Sequence, residues 1–199
     1  VTQPFVIGLT GSIGMGKSTT AAMFRECGVP VWDADAAVHR MYSVGGSAVA
    51  GIAAIYPDAV IDDAVSRYAL KSWISADKTA LKQIESVVHP LLVADRSEFL
   101  NNSASDIVVL DMPLLFEMNL DSLVNHIVVV SAPADVQRAR VLERGSMTED
   151  QFEMILAKQL PDGEKRKRAD DVIETISLEA AKASVVRILA DIQKGLKNA

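Results

Sequence analysis

The residue pattern best suited to chemistry lies near the start of the chain. Gly11-Ser12-Ile13-Gly14-Met15-Gly16-Lys17-Ser18 has the spacing G-x-x-x-x-G-K-[ST], in which glycines let successive backbone N–H groups turn inward around an anion. A strand-like run precedes it and a helix-like run follows it, so the positive end of a helix adds to the same concavity. This spacing puts Lys17 within reach of the β- and γ-phosphates of a nucleotide and the Ser18 hydroxyl in place to ligate Mg²⁺, with Thr19 and Thr20 lining the site.

Other clusters could act on a phosphate held there. Trp32-Asp33-Ala34-Asp35 closes a second strand-like run, at the sheet edge that faces the ligand crevice in open α/β folds, where Asp33 could meet an acceptor hydroxyl. If the chain stays extended, Asp33 and Asp35 share a face; if a helix starts at Ala34 they diverge, with Asp33 as its N-cap and Asp35 as a first-turn acid. A third apolar run ends in Asp111, a carboxylate suited to hold Mg²⁺ through water. Leu114, Leu115, Phe116 and Glu117 follow at once; this stretch is core in the simplest reading, or a wall for the acceptor's apolar parts. His89, before Pro90, reads as a phosphate or ribose contact or as a structural histidine.

The segment 137–168 holds eight basic residues against six acidic ones, in a chain whose totals are 20 and 26 with net charge −6. Positive charge is therefore concentrated locally, as a lid needs when it closes over a transferring phosphoryl group. Arg140 and Arg144 lie four apart on one helical face, with Gly145 beyond as a C-cap and hinge. Arg144 is the lid candidate, with a solvated helix end as the alternative, and Lys165 to Arg168 read as a solvated or phosphate-attracting run.

The elements that must position these groups alternate along the chain. Short β-branched runs at 6–10, 29–32, 107–110, 127–130 and 172–173 lack polar alternation, as strands buried on both faces do. Helical stretches at 17–27, 81–99, 134–144 and 178–197 lie between and after them, which argues for a parallel sheet with right-handed crossovers. The interval 34–105 far exceeds one crossover and is an inserted helical subregion, divided into short helices by Gly45, Gly46, Pro57 and Asp62-Asp63, with Pro90 interrupting or beginning another. The resulting plan is one domain over 1–199, with a core of 1–33, 106–136 and 170–199, the insertion at 34–105 and a lid at 137–168.

Length and composition agree with a packed domain that needs no covalent staple. The 199 residues are 49% apolar, enough for a core, and Cys27 is the lone cysteine, which excludes an internal disulfide, a Cys-rich zinc site and a Cys-x-x-Cys centre. The acidic balance argues against coating nucleic acid or an anionic membrane. Apolar runs are too short to span a bilayer and residues 1–10 carry no basic-then-apolar secretory pattern. A cytoplasmic location is the expectation, and oligomeric state is left open.

In this order and spacing the clusters resemble the dephospho-CoA kinase family over nearly the whole chain: Ile7-Gly8-Leu9-Thr10-Gly11 into the loop, Asp33-Ala34-Asp35, His89-Pro90, Asp111 to Glu117, Arg144, Gln159, Glu164-Lys165-Arg166 and Ala169-Asp170-Asp171-Val172-Ile173. The resemblance implies a P-loop kinase-like three-layer α/β fold with a five-stranded parallel sheet, a helical acceptor-binding insertion and a lid. It implies transfer of the ATP γ-phosphate to the ribose 3′-hydroxyl of dephospho-CoA, with Mg²⁺. By resemblance Asp33 is the acceptor-side carboxylate, Gly14 to Thr19 bind ATP phosphates and Arg144 is the lid arginine; Asp35, with a role in metal or substrate positioning, His89 and Leu114 to Glu117 are acceptor-side candidates from the residues themselves. Ser12 departs from a usual glycine, Lys158 is the nearest cation to a missing arginine, and Thr175 stands where an Asn is common near the adenine side. The competing readings are a nucleoside or nucleoside monophosphate kinase and, in another class, a non-catalytic nucleotide-dependent switch; a GTP switch lacks its Asn-Lys-x-Asp segment here.

Overall fold

The computed structural model describes residues 3–145 and 147–198, so Val1, Thr2, Ala199 and, inside the expected lid, Ser146 lie outside the described residues. The chain divides into two compact units, Val1–Trp32 with Ser103–Ala199, and Asp33–Asn102. Numbered along the chain, the first unit carries a five-stranded parallel sheet of β1 (Phe5–Thr10), β2 (Val31–Asp33), β5 (Ile107–Asp111), β6 (His126–Ser131) and β7 (Asp171–Glu174), in the spatial order β2-β5-β1-β6-β7. Its helices are α1 (Lys17–Glu26), α6 (Ala134–Glu143), α7 (Glu149–Leu156), α8 (Asp162–Lys167) and α9 (Leu178–Lys197).

The apolar runs become strands because both sheet faces are covered. Ile7, Leu9, Ile107, Val109, Val128, Val130 and Ile173 pack with Phe24 of α1 and Val185 and Ile188 of α9. On the alternate positions Gly8 leaves room for Leu115, whose Cδ1 would lie 2.9 Å from an added Cβ. The β1–β5 register pairs Leu9 with Asp111, and this sets the β5 carboxylate beside the exit of β1, where the glycine-rich loop begins. β2 starts later than the expected 29–32, at Val31, because Val29 N–H closes the end of α1 on Phe24 O at 3.1 Å.

The second unit contains α2 (Ala34–Tyr42), α3 (Val49–Ile55), the hairpin β3 (Val60–Ile61) and β4 (Ala64–Val65), α4 (Arg67–Ala76) and α5 (Ala80–Asn102). Two expectations are corrected here. Asp62-Asp63 lies between α3 and α4 not as a simple break but inside a hairpin; with φ of 51° and 58° the pair forms its two-residue tip, a conformation short acidic side chains tolerate. Pro90 neither interrupts nor begins a helix, since α5 runs through it for 23 residues. The missing N–H is outweighed by a helix anchored through buried Ala80, Ile84 and Val88 and packed on α2, α3 and α4. A stacked pair, Tyr56 and Trp73 with centroids 4.4 Å apart, fills the same unit. No helix among the described residues is long and apolar enough to cross a membrane.

An interior helical proline costs about 3 kcal/mol relative to alanine, and Pro90 is exposed on its helix. Pro90→Ala is expected to raise the calorimetric unfolding midpoint by on the order of a few degrees; an unchanged or lower midpoint would mean that the proline ring makes up its backbone penalty elsewhere.

Candidate active site

The loop between β1 and α1 is shaped by which of its carbonyls are held. Ile13 O accepts a hydrogen bond from Gln137 Nε2 of α6 at 2.7 Å, and Met15 O accepts one from the Thr175 hydroxyl at 2.8 Å. A trans peptide directs its N–H opposite to its carbonyl. Gly14 N–H therefore points away from Gln137, and Gly16 N–H away from Thr175, so neighbouring amides are available to one anion. Gly16 O is held in turn by Thr20, through N–H at 3.1 Å and the hydroxyl at 3.2 Å.

Two glycines make this path accessible. Gly14 has φ of +77° and lies so close to α6 that an added Cβ would come within 2.6 Å of Val141 Cγ2. Gly16, with φ of +90°, is the N-cap of α1 and supplies no side-chain cap. By contrast α2, α4, α7 and α9 are capped by Asp33, Ser66, Thr148 and Ser177. The first-turn N–H groups of α1 are thus left for an external anion. Met15 pins the loop from beneath, buried with its Sδ accepting from Ala132 N–H at 3.1 Å.

Lys17 and Asp111 form an ion pair, the carboxylate only 2% exposed and the ammonium 15%. The lysine expected on phosphate and the acid expected near Mg²⁺ therefore hold each other. Ser18 and Thr19 are exposed at the start of α1, whereas Ser12 is buried with its hydroxyl lacking a partner among the described residues.

A cavity of about 200 Å³ opens beside this helix start, lined by Gly16, Thr19, Thr20, Arg140, Arg144 and Thr175. Arg140 is braced, its guanidinium donating to the Thr175 hydroxyl at 2.9 Å and to Thr175 O at 2.6 Å. Arg144 is exposed at the C-cap of α6 and makes no ion pair among the described residues, with Gly145 behind it at φ +62°. The basic run is not simply solvated, as expected from the sequence. Arg166 and Arg168 reach Glu174 and Asp121, Lys167 pairs with Glu164, and Lys165 is completely buried against Glu117. Lys158 is exposed.

The remaining expected contacts divide. The helix does start at Ala34, so Asp33 is its N-cap, with Oδ1 accepting from Ala36 N–H at 2.9 Å, and exposed Asp35 lies in the first turn. His89 is exposed on α5 and is no buried structural histidine. Leu115 and Phe116 are buried, so as an acceptor wall they are corrected to core; burial beneath β1 and under the Arg168 guanidinium, 4.3 Å from the Phe116 centroid, commits them. Leu114 is exposed. The Glu117 carboxylate faces inward, accepting from Leu160 N–H at 2.8 Å and pairing with Lys165. Burial alone would push that carboxyl up, but hydrogen bonds from Lys165 and Leu160 N–H, with the lysine's charge, outweigh it and hold the group below the ordinary carboxylate range.

Gln137 and the loop-directed roles of Thr175 and Arg140 escape motif reading. Their one sequence signal is Gln137 four residues before Val141, a polar side chain on the buried face of α6.

Comparison with known proteins covers nearly the whole chain. A family model described as dephospho-CoA kinase matches residues 5–179. The dephospho-CoA kinase of Cereibacter sphaeroides is 56% identical over 192 residues, 96% of this chain and 98% of that protein. Among solved structures, TT1252 from Thermus thermophilus is 34% identical with a TM-score of 0.84, covering 96% of this chain and 98% of that one. The dephospho-CoA kinase from Campylobacter jejuni, 21% identical with a TM-score of 0.68 over 96% and 98% of the two chains, shares the fold.

Two outcomes follow from this geometry. Thr175→Val, isosteric but without the hydroxyl that donates to Met15 O and accepts from Arg140, although its main-chain carbonyl still holds Arg140, should weaken binding of a fluorescent ATP analogue about tenfold, while Thr175→Ser stays within about threefold of the parent; equal affinity for all three would detach Thr175 from the loop. The Glu117 pair stabilises the fold above the ordinary carboxyl pKa and stops doing so as pH falls through the lowered folded value. In urea titrations from pH 7 to about pH 3, Glu117→Gln should therefore lose less stability than the parent, chiefly below about pH 4.

Proposed function

The chain belongs to the dephospho-CoA kinase family, and on that premise we propose how its own residues share the transfer of the ATP γ-phosphate to the ribose 3′-hydroxyl of dephospho-CoA. The observation that carries the reading is a family match over residues 5–179, which includes both the phosphate loop and the inserted unit Asp33–Asn102. It is an ATP-dependent phosphotransferase.

ATP rests its phosphates on residues 11–19. The amides of Gly14 and Gly16 and the uncapped start of α1 supply fixed positive dipoles. Lys17 leaves Asp111 for the β- and γ-phosphates, and Arg144 closes on the charge that spreads over the equatorial oxygens. The hard oxygen donors Ser18 and Asp111 suit Mg²⁺, and since no cluster of three or more His, Cys, Asp or Glu among the described residues could hold a metal, phosphates and water would complete its shell. When bound, the ion supplies charge neutralisation along the phosphates.

Asp33 serves the acceptor. Its Oδ1 is fixed by the α2 cap, which orients the carboxylate, and Oδ2 takes the ribose 3′-hydroxyl. The hydroxyl oxygen forms a bond to Pγ as the bond to the β–γ bridging oxygen breaks; ADP carries away that electron pair and the hydroxyl proton passes to Asp33. Because the transition state is loose, orientation contributes as much as basicity. The rest of dephospho-CoA lies on the unit Asp33–Asn102, where a cavity of about 570 Å³ joins Asp35, Arg67 and Lys71 to apolar Val38, Leu70 and Ile74, a mixture suited to a diphosphate with an apolar arm. The exposed free thiol of Cys27 suits the reducing cytoplasm, and the acidic net charge disfavours nucleic acid or an anionic membrane as partners.

Asn caps a helix as well as Asp, so Asp33→Asn removes the base without unfastening α2. It should lower kcat on the order of 10²–10⁴-fold with ATP affinity unchanged; full activity would remove the assignment. Labelled ATP should mark dephospho-CoA and leave nucleosides and nucleoside monophosphates unmarked, and Arg144→Ala should depress kcat more than it raises KM for ATP. Transfer to a nucleoside monophosphate instead would move the chain to that neighbouring activity.

A further inference from the structure

Lys165 is a charged side chain with no exposure at all, and the transfer above does not use it. Its Nζ lies 2.8 Å from Glu117 Oε1, its one carboxylate partner among the described residues. Among the described residues the second Glu117 oxygen is buried without a partner, and the Lys165 ammonium, close as it is to Oε1, makes no well-aligned hydrogen bond. Charges are kept inside a protein only where each neutralises the other, so removing either residue strands its mate.

Glu117 Oε1, the oxygen that faces Lys165, also accepts from Leu160 N–H at 2.8 Å, across 43 positions of sequence. This fixes the backbone of the turn between α7 and α8. Gln159, the preceding residue, uses its Oε1 to accept from Ile13 N–H at 3.0 Å. Gln137, 4% exposed, holds Ile13 O from α6. Both peptide groups of Ile13 are thus gripped by side-chain amides, one on each flank.

A peptide next to a glycine of positive φ can rotate at little steric cost. If the unit joining Ile13 to Gly14 turned over, a carbonyl oxygen would take the place of the amide, and attraction for phosphate would become repulsion. We propose that Glu117 and Lys165 are positioning residues for the phosphate loop, acting through Gln159, which fixes the Ser12–Ile13 peptide and so seats Ile13 where Gln137 can hold the next peptide with Gly14 N–H toward the nucleotide. The proposal rests on residues 11–19 being the ATP phosphate site. It gives Glu117 a role different from direct contact with the acceptor.

The test compares full-length Gln159→Met, Lys165→Met and Lys165→Met/Glu117→Gln with the parent by titration with a fluorescent ATP analogue, by KM for ATP and for dephospho-CoA, and by thermal midpoint. Gln159→Met keeps the shape and loses the acceptor; it should weaken ATP binding about tenfold, the scale of one hydrogen bond, with KM for dephospho-CoA within about twofold and the midpoint unmoved. Lys165→Met should weaken ATP binding comparably, and adding Glu117→Gln, a neutral acceptor for Leu160 N–H, should restore it to within about threefold. The proposal is overturned if Gln159→Met binds ATP like the parent, or if Lys165→Met shifts the midpoint while ATP affinity stays put. Should Lys165→Met fail to fold, the double variant and Gln159→Met decide alone: parent-like affinity in the first with a tenfold loss in the second supports it, and any other pairing overturns it. A parent protein that binds no ATP would instead remove the reading beneath the proposal.

Discussion

An amide can attract a phosphate only if its own carbonyl is kept turned away, and much of the first unit serves that constraint. The loop after β1 has too few residues to enforce it internally, so carbonyls of Ile13 and Met15 are tied to Gln137 and Thr175, which arrive from α6 and from the end of β7. Those two residues are themselves placed by the sheet order, since β6 and β7 lie in succession beside β1. The buried polar side chains near the loop are therefore part of its folding problem, each satisfying a group that would otherwise be costly to bury.

Electrostatics follows the same economy. A chain of net charge −6 must receive a polyanion, and it does so with local fields, not with overall attraction. The uncapped end of α1, the ammonium of Lys17 and the guanidinium of Arg144 are concentrated near one loop and one cavity. Most other cations of the 137–168 segment are engaged: Arg138 with Glu149 and Glu153, Arg140 with Thr175, and Lys165 with Glu117. Pairing leaves Arg144 as the exposed arginine beside the cavity without an ion-pair partner among the described residues.

What could be read from the sequence had local causes. Strands buried on two faces read as unbroken apolar runs, and α9 is legible to the residue because a serine caps its start and an apolar stripe repeats along it. The glycine-rich loop is contiguous and so announces itself. The hairpin at 60–65 was hidden because its strands have two residues each and its turn uses Asp-Asp instead of a glycine. Pro90 misled because tertiary packing of α5 overrides a local penalty. Burial of Lys165 was invisible inside a run of cations, since its partner stands 48 positions away and only the fold joins them. Leu115 and Phe116 show the converse: apolar residues beside a site are more readily core than lining.

The approach of Gly14 to α6, with Val141 Cγ2 2.6 Å from where a Cβ would stand, has a consequence for how this site can drift. Loop and helix share one tightly fitted surface, so the determinants of the loop's shape are discontinuous: they include Gln137 and Val141 as well as Gly14, and a search confined to eight adjacent letters misses the helix's part. A side chain added at Gly14 would have to be answered by a smaller one at Val141, so a redesign of either segment has to treat the two as one unit.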